Sequence, residues 1–148
     1  MIRSQGPGTG SKVRAMEATI PAKGRRVLVV DDNEDAADSL ATLLGVMRYD
    51  VRVAYDGPEA IEAADAFTPA VALLDIGLPK LSGYDIARHI RRTRGDKVLL
   101  VAITGWGQED DRRRAREAGF DHHFTKPADF EVLLELIEQE MKQRPPQE

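Results

Sequence analysis

Val71-Ala-Leu-Leu-Asp75-Ile-Gly-Leu-Pro79 is an apolar run that ends on one carboxylate and is broken within four positions by Gly77 and Pro79. Val71 to Leu74 are too few for a helix and apolar at every position, so they read as a strand buried on both faces. Asp75 then stands where a buried strand reaches the surface. In an open α/β sheet that edge is where ligands bind. An aspartate there is by itself as good a turn former as a functional group. Its meaning depends on what the rest of the chain places beside it.

Upstream, Arg26-Val-Leu-Val-Val30 is a first strand ending on Asp31-Asp32. A helix follows, with Ala36, Ala37, Leu40, Leu43, Leu44 and Met47 at three-to-four spacing as its buried face. Val51–Ala54 is a second strand. Gly57-Pro58 opens the next helix, with proline in its first turn and Ala60, Ile61 and Ala64 turned inward. Downstream of Asp75, Ser82-Gly-Tyr-Asp85 is a capping box. Its helix carries Ile86, Ala87 and Ile90 and ends on Arg91, Arg92 and Arg94, where the helix dipole favours cations.

Val98–Ile103 is a fourth strand, followed by Thr104-Gly105. The helix after it, about Gln108 to Ala118, has almost no apolar face, only Ala115 and Ala118. Its charges are sorted instead: Glu109, Asp110 and Asp111 first, then Arg112, Arg113, Arg114 and Arg116. Glu109–Arg113 and Asp110–Arg114 are i,i+4 pairs in the favourable order, and Gly119 closes the helix. Phe120–Thr125 is a fifth strand, followed by Lys126-Pro127. The last helix buries Phe130, Leu133, Leu134, Ile137 and Met141, and Pro145-Pro146 marks its end. Strands alternating with helices, without repeat, predict an α/β domain with a five-stranded parallel sheet covered on both faces and joined by right-handed crossovers.

At 148 residues the chain is long enough for one domain with a real core. It has no cysteine, which excludes disulfides, thiol chemistry and cysteine-type zinc sites. No apolar run is long enough to cross a bilayer, and Arg3 is not followed by the apolar segment of a secretory signal, so a cytoplasmic protein is expected. Residues 1–24 are rich in Gly, Ser, Thr, Lys and Pro without apolar period and read as a flexible tail, with a linker to a partner module as the alternative. Met16 is an alternative start. The tail carries +3 (Arg3, Lys12, Arg14 and Lys23 against Glu17) in a chain of net charge -4, which leaves -7 on the remainder. An acidic domain is a poor ligand for nucleic acid. The expected organisation is a tail over 1–24, the domain over 25–142 and a short tail over 143–148, with no output domain attached.

Four strands each end on polar residues: Asp31-Asp32, Asp75, Thr104 and Lys126. In a parallel sheet these ends share one edge. Each has an ordinary structural role when taken alone: Asp31-Asp32 a helix N-terminus, Thr104 a poor signal, Lys126-Pro127 a loop. Gathered together, three carboxylates repel one another unless a cation is present. An all-oxygen acidic site suits Mg2+, held by one or two carboxylates with waters retained. Metal and Lys126 together make the pocket attractive to a phosphoryl group, and a carboxylate in line with it can act as nucleophile and form an aspartyl-phosphate.

The set Asp31-Asp32, Asp75 with Pro79 behind it, Thr104 with a small residue after it, and Lys126-Pro127 resembles the receiver domain of two-component response regulators, over about Arg25 to Met141. The resemblance implies a flavodoxin-like (βα)5 fold with strand order 2-1-3-4-5. It implies Asp75 as phosphoacceptor. Asp32, Asp75 and the backbone carbonyl of Gly77 become metal ligands, with Asp31 close by or acting through water. Thr104 and Lys126 would hold phosphoryl oxygens, and the peptide before Pro127 would be cis. The partners implied are a sensor histidine kinase or hybrid kinase, and a downstream protein reading the face over residues 108–142, with neither nucleic acid nor membrane bound directly. Such a domain is a signalling module in a phosphorelay and not an enzyme.

Two positions depart from the family pattern. His123 stands where the family often has an aromatic switch residue, and imidazole titrates near neutrality. Trp106 stands two residues past Thr104, where a ring could shield the acyl phosphate or be only a surface aromatic. The stretch Thr104–Arg114 is also similar to receivers attached to hybrid kinases. His122 and His123 are adjacent on a strand, face opposite ways and cannot chelate one ion. A nucleotide or flavin binder would need a Gly- or hydroxyl-rich loop after the first strand, where this chain has Asp31-Asp-Asn-Glu-Asp35. An aspartyl-phosphate phosphatase would show a second Asp where Gly77 stands. The remaining alternative is a receiver-like protein-interaction module not regulated by phosphorylation.

Overall fold

Every residue of β3 (Val71–Asp75) and β4 (Leu99–Thr104) is buried, the outcome expected for apolar runs with helices on both sides. A computed structural model of the chain describes residues 25–105 and 109–144, without the side chains of residues 109–111. The expected tails over 1–24 and 145–148, Trp106 and Pro145-Pro146 lie outside the described residues.

The remaining strands are β1 (Arg26–Val30), β2 (Asp50–Ala54) and β5 (His122–Thr125). The helices are α1 (Glu34–Val46), α2 (Gly57–Phe67), α3 (Gly83–Arg94), α4 (Glu109–Ala118) and α5 (Phe130–Gln143). All five strands are parallel, in the order β2-β1-β3-β4-β5. The flavodoxin-like arrangement expected from the sequence is therefore the observed one.

Side chains alternate across the sheet and build two cores. Leu28, Val30, Ala72, Leu74, Leu100 and Ala102 meet α2, α3 and α4 on one face. Val27, Val29, Val71, Leu73, Val101 and Ile103 meet α1 and α5 on the other. The helix starts follow their caps: Asn33 accepts from the Ala36 amide at 3.1 Å, Asp56 from Glu59 at 2.8 Å, and Asp129 from Glu131 at 2.9 Å. Ser82 and Asp85 close the expected capping box.

Several boundaries and faces differ from the sequence reading. α1 buries only Ala37 and Leu44, with Leu40 half-buried, while Ala36, Leu43 and Met47 are exposed. A helix lying on a sheet buries one narrow stripe, and these three fall to its side. α5 buries Leu133, Ile137 and Met141, one residue per turn, and leaves Phe130 and Leu134 half-buried. It runs to Gln143. β5 starts at His122 and not at Phe120, because the Asp121 side chain turns back to accept from the Leu100 amide at 2.9 Å. α4 buries Ala115 and Ala118, as its sparse apolar pattern predicts.

Candidate functional site

Register carries the chemistry to one edge. Val30 pairs with Leu74, Asp75 with Ile103, and Thr104 with Thr125. The residues that follow or end these pairs, Asp31, Asp75, Thr104 and Lys126, therefore emerge on adjacent strands within a few ångströms. Two contacts shape the turn after Asp75. The Gly83 amide donates to the Ile76 carbonyl at 3.2 Å. A Cβ at Gly83 would stand 2.6 Å from the Asp75 carbonyl oxygen, so only glycine lets the start of α3 close on the end of β3.

Asp75 is buried, with 7 % of its surface exposed, and Asp31 and Thr104 are buried beside it. The Gly77 amide donates to Asp75 Oδ1 at 3.0 Å, which orients the carboxylate and leaves Oδ2 facing Lys126 Nζ at 3.3 Å. Lys126 Nζ also donates to Asp31 Oδ2 at 3.0 Å, and the Asn33 amide holds Asp31 Oδ1 at 3.0 Å. The lysine backbone is tied to β4, its amide donating to the Thr104 carbonyl at 2.7 Å, and the Lys126–Pro127 peptide is cis.

The electrostatics follow from burial and crowding. Burial pushes the Asp75 carboxyl up from its ordinary range, and the charge of Asp31 adds to this; the Gly77 amide and the Lys126 cation pull the other way without cancelling it. Burial disfavours the Lys126 ammonium, but its hydrogen bond to Asp31 and the charges of Asp75 and Asp31 outweigh that, so its pKa is raised and it stays cationic at neutral pH.

One ammonium, paired with Asp31 and Asp75, sits in a group of three carboxylates. Oxygens of Asp31, Asp32 and Asp75 all lie within 4.8 Å of one another, with Asp32 exposed; no other such group of potential ligands occurs among the described residues. The donor set is oxygen throughout and carries excess negative charge, and it fits a hard divalent cation.

His123 is half-buried, three residues before Lys126 and in register with Ala102, on the side of α4. His122 faces the other way, with Nε2 3.2 Å from Glu140 Oε2 on α5. The two rings therefore diverge, as strand alternation requires. Gly77 lies beside Asp75 through its amide.

Reading the sequence did not reveal a cleft of about 540 Å³ that opens beside the carboxylates. Ala36, Leu40 and Leu43 of α1 line one wall, and Pro127, Ala128 and Phe130 the other, with Asp31, Asp75 and Lys126 at its mouth. The available signal was the extra width of the apolar stripe on α1, which exceeds what one sheet face can bury.

A parallel sheet with a lysine-paired acidic pocket at its carboxyl edge defines a flavodoxin-like α/β domain whose site lies at the strand ends. The profile of the response regulator receiver domain matches residues 27–138. Response regulator MprA of Mycobacterium ulcerans (strain Agy99) is 35 % identical over 109 residues, which is 74 % of this chain and 47 % of that protein. The "Uncharacterized 14.6 kDa protein in sodA1 3'region" of Leptolyngbya boryana is 31 % identical over 121 residues, 81 % of this chain and 92 % of that one. The chain thus spans nearly all of one relative and about half of the other. Among solved structures, a CheY-like response regulator receiver domain protein from Methanospirillum hungatei JF-1 superposes with a TM-score of 0.76 at 26 % identity, over 80 % of this chain and 94 % of that one. The BeF3-activated DrrB receiver domain superposes with a TM-score of 0.74 at 28 % identity, over 81 % and 98 %. The chain belongs to the response regulator receiver domain family. Among the described residues no helix is long and apolar enough to cross a membrane.

Proposed function

We propose that residues 25–142 form a phosphoacceptor domain that takes a phosphoryl group from a sensor histidine kinase, or a hybrid kinase, onto Asp75. The observation that carries this reading is the posture of Asp75: Oδ1 is fixed by the Gly77 amide, and Oδ2 is turned to a cationic Lys126. Oδ2 attacks phosphorus as the P–N bond of the donor phosphohistidine breaks. The bonding pair returns to the imidazole nitrogen, and an acyl phosphate remains. The environment that lifts the Asp75 pKa makes its carboxylate more basic. Lys126 exchanges its contact with Asp75 for one to a phosphoryl oxygen, and the Thr104 hydroxyl, on the neighbouring strand end, takes another.

Asp31, Asp32, Asp75 and the Gly77 carbonyl would hold Mg2+. When bound it supplies neutralisation of phosphoryl charge. His123 serves as the switch residue, responding to movement of Thr104, and Trp106 as a shield over the acyl phosphate. The cleft between α1 and Phe130 offers the kinase an apolar seat next to Asp75. Output passes to a downstream protein through the 108–142 face, where Arg112, Arg113 and Arg116 are exposed on α4. A cytoplasmic setting, and a role in signalling without turnover of a separate substrate, belong to the same reading.

Incubation with Mg2+ and acetyl phosphate, followed by intact mass, tests it: a gain of roughly 80 Da, absent in Asp75→Asn, identifies the nucleophile. Mg2+ binding without mass gain would favour a receiver-like interaction module controlled by contacts alone.

A further inference from the structure

α4 is attached to the sheet by little. Among its described side chains Ala115 and Ala118 are the buried ones, and two methyl groups are a small apolar anchor for a ten-residue helix. Side chains of α3 hold it instead, at two points of different character.

The first point is rigid. Arg91 Nε donates to the Gly119 carbonyl, just past the end of α4, at 2.9 Å. The same guanidinium donates to the carbonyls of Gly95 and Val98 and to Asp121 Oδ2, each at 2.8 Å, so Arg91 has no freedom to follow a moving partner. Gly119 has φ 109, and a Cβ there would meet the Arg91 stem. The C-terminal end of α4 is therefore a fixed pivot.

The second point carries a cation–π stack. The Arg114 guanidinium lies over the Tyr84 ring of α3, 4.5 Å from its centroid, and Tyr84 is only 5 % exposed. Such a contact is directional and weak enough to be broken and remade. It lies between the pivot and the end of α4 nearest the site, and residues 105–108 join that end to Thr104. Meanwhile Lys126 is paired directly with Asp31 and Asp75, the arrangement of an unmodified carboxylate.

We propose that the Arg114–Tyr84 stack is a latch that sets the resting position of α4 on its Gly119 pivot, and so sets how readily the Asp75 site takes up a phosphoryl group. This rests on Asp75 being the phosphoacceptor. Linkage then fixes the sign: if occupancy of the site shifts α4 off the stack, a substitution that releases the stack must strengthen occupancy by the same factor.

The test is equilibrium binding of beryllium fluoride with Mg2+ to the full chain, alongside hydrogen exchange of α4 amides. Arg114→Ala is expected to bind about three- to tenfold tighter than wild type, with faster α4 exchange in the free protein. Arg114→Lys keeps the cation and is expected within about twofold of wild type. A merely structural contact would weaken binding or leave it unchanged when removed. Tyr84→Leu opens the same latch from the other side and serves if Arg114→Ala is unfolded by circular dichroism. Wild-type affinity and exchange in both Arg114→Ala and Tyr84→Leu overturn the latch while leaving the phosphoacceptor reading intact. Failure of wild type itself to bind beryllium fluoride overturns the phosphoacceptor reading, and the coupling with it.

Discussion

Lys126 Nζ lies 3.0 Å from Asp31 Oδ2, although 95 positions separate the two residues in the chain. The pair spans the sheet from the end of β1 to the end of β5 and encloses Asp75 between them. The same ammonium also serves Asp75.

Removing that ammonium leaves two buried carboxylates facing each other. Lys126→Ala is expected to lose about 1–2 kcal/mol of stability at pH 7, less than a fully buried pair would cost because Lys126 is about one-third exposed. It should also slow phosphorylation by acetyl phosphate at least about tenfold. Urea unfolding and intact mass over time check both. Unchanged stability would mean that the lysine is not neutralising the pocket.

The raised pKa of Asp75 has a definite sign in stability. The folded state holds the proton more tightly than the unfolded chain. Asp75 therefore contributes most below its unfolded pKa, about 3.9, and that contribution is lost as pH rises through its folded value. Asn at this position never ionises. Asp75→Asn is expected to melt about 2–5 °C above wild type at pH 7 without Mg2+, with the gap narrowing toward pH 4. A gap constant across that range would place the effect elsewhere.

Mg2+ should offset the same repulsion. At ten times its dissociation constant it is expected to stabilise wild type by about 1.4 kcal/mol, seen as a rise in melting temperature. Asp75→Asn should lose most of this rise and Asp32→Asn part of it. Equal rises in all three proteins would move the metal off these carboxylates.

Leu43 is 45 % exposed and lines the cleft beside the site. Leu43→Arg is expected to change stability by less than about 0.5 kcal/mol, as exposed positions do. It should leave phosphorylation by acetyl phosphate at the wild-type rate and slow transfer from a kinase about tenfold or more. The small donor needs no seat in the cleft, whereas a protein donor does. Equal effects on the two donors would locate the defect at Asp75 and not at docking.

The alternation of strands and helices, the parallel sheet and the residues at its carboxyl edge were legible from the linear chain. A buried parallel strand is a continuous apolar run, and the polar residue that ends it marks the sheet edge; Asp31, Asp75, Thr104 and Lys126 each follow or end such a run. The capping box at Ser82 and the weak apolar face of α4 were equally local, because both depend on spacings within one helix. What tertiary structure decided is how those local units are rotated and docked. Asp31 turned inward to Lys126 while Asp32 stayed exposed, a choice made by how the chain leaves β1. The stripe on α1 split into a buried part and the wall of a cleft, because a sheet face covers only part of a helix's circumference. In sequence Arg91 reads as a cation at a helix end and Arg114 as the i,i+4 partner of Asp110. Packing made one a fixed hub for four acceptors and laid the other over Tyr84, because long-range contact depends on the relative placement of α3 and α4, which no spacing within either helix encodes.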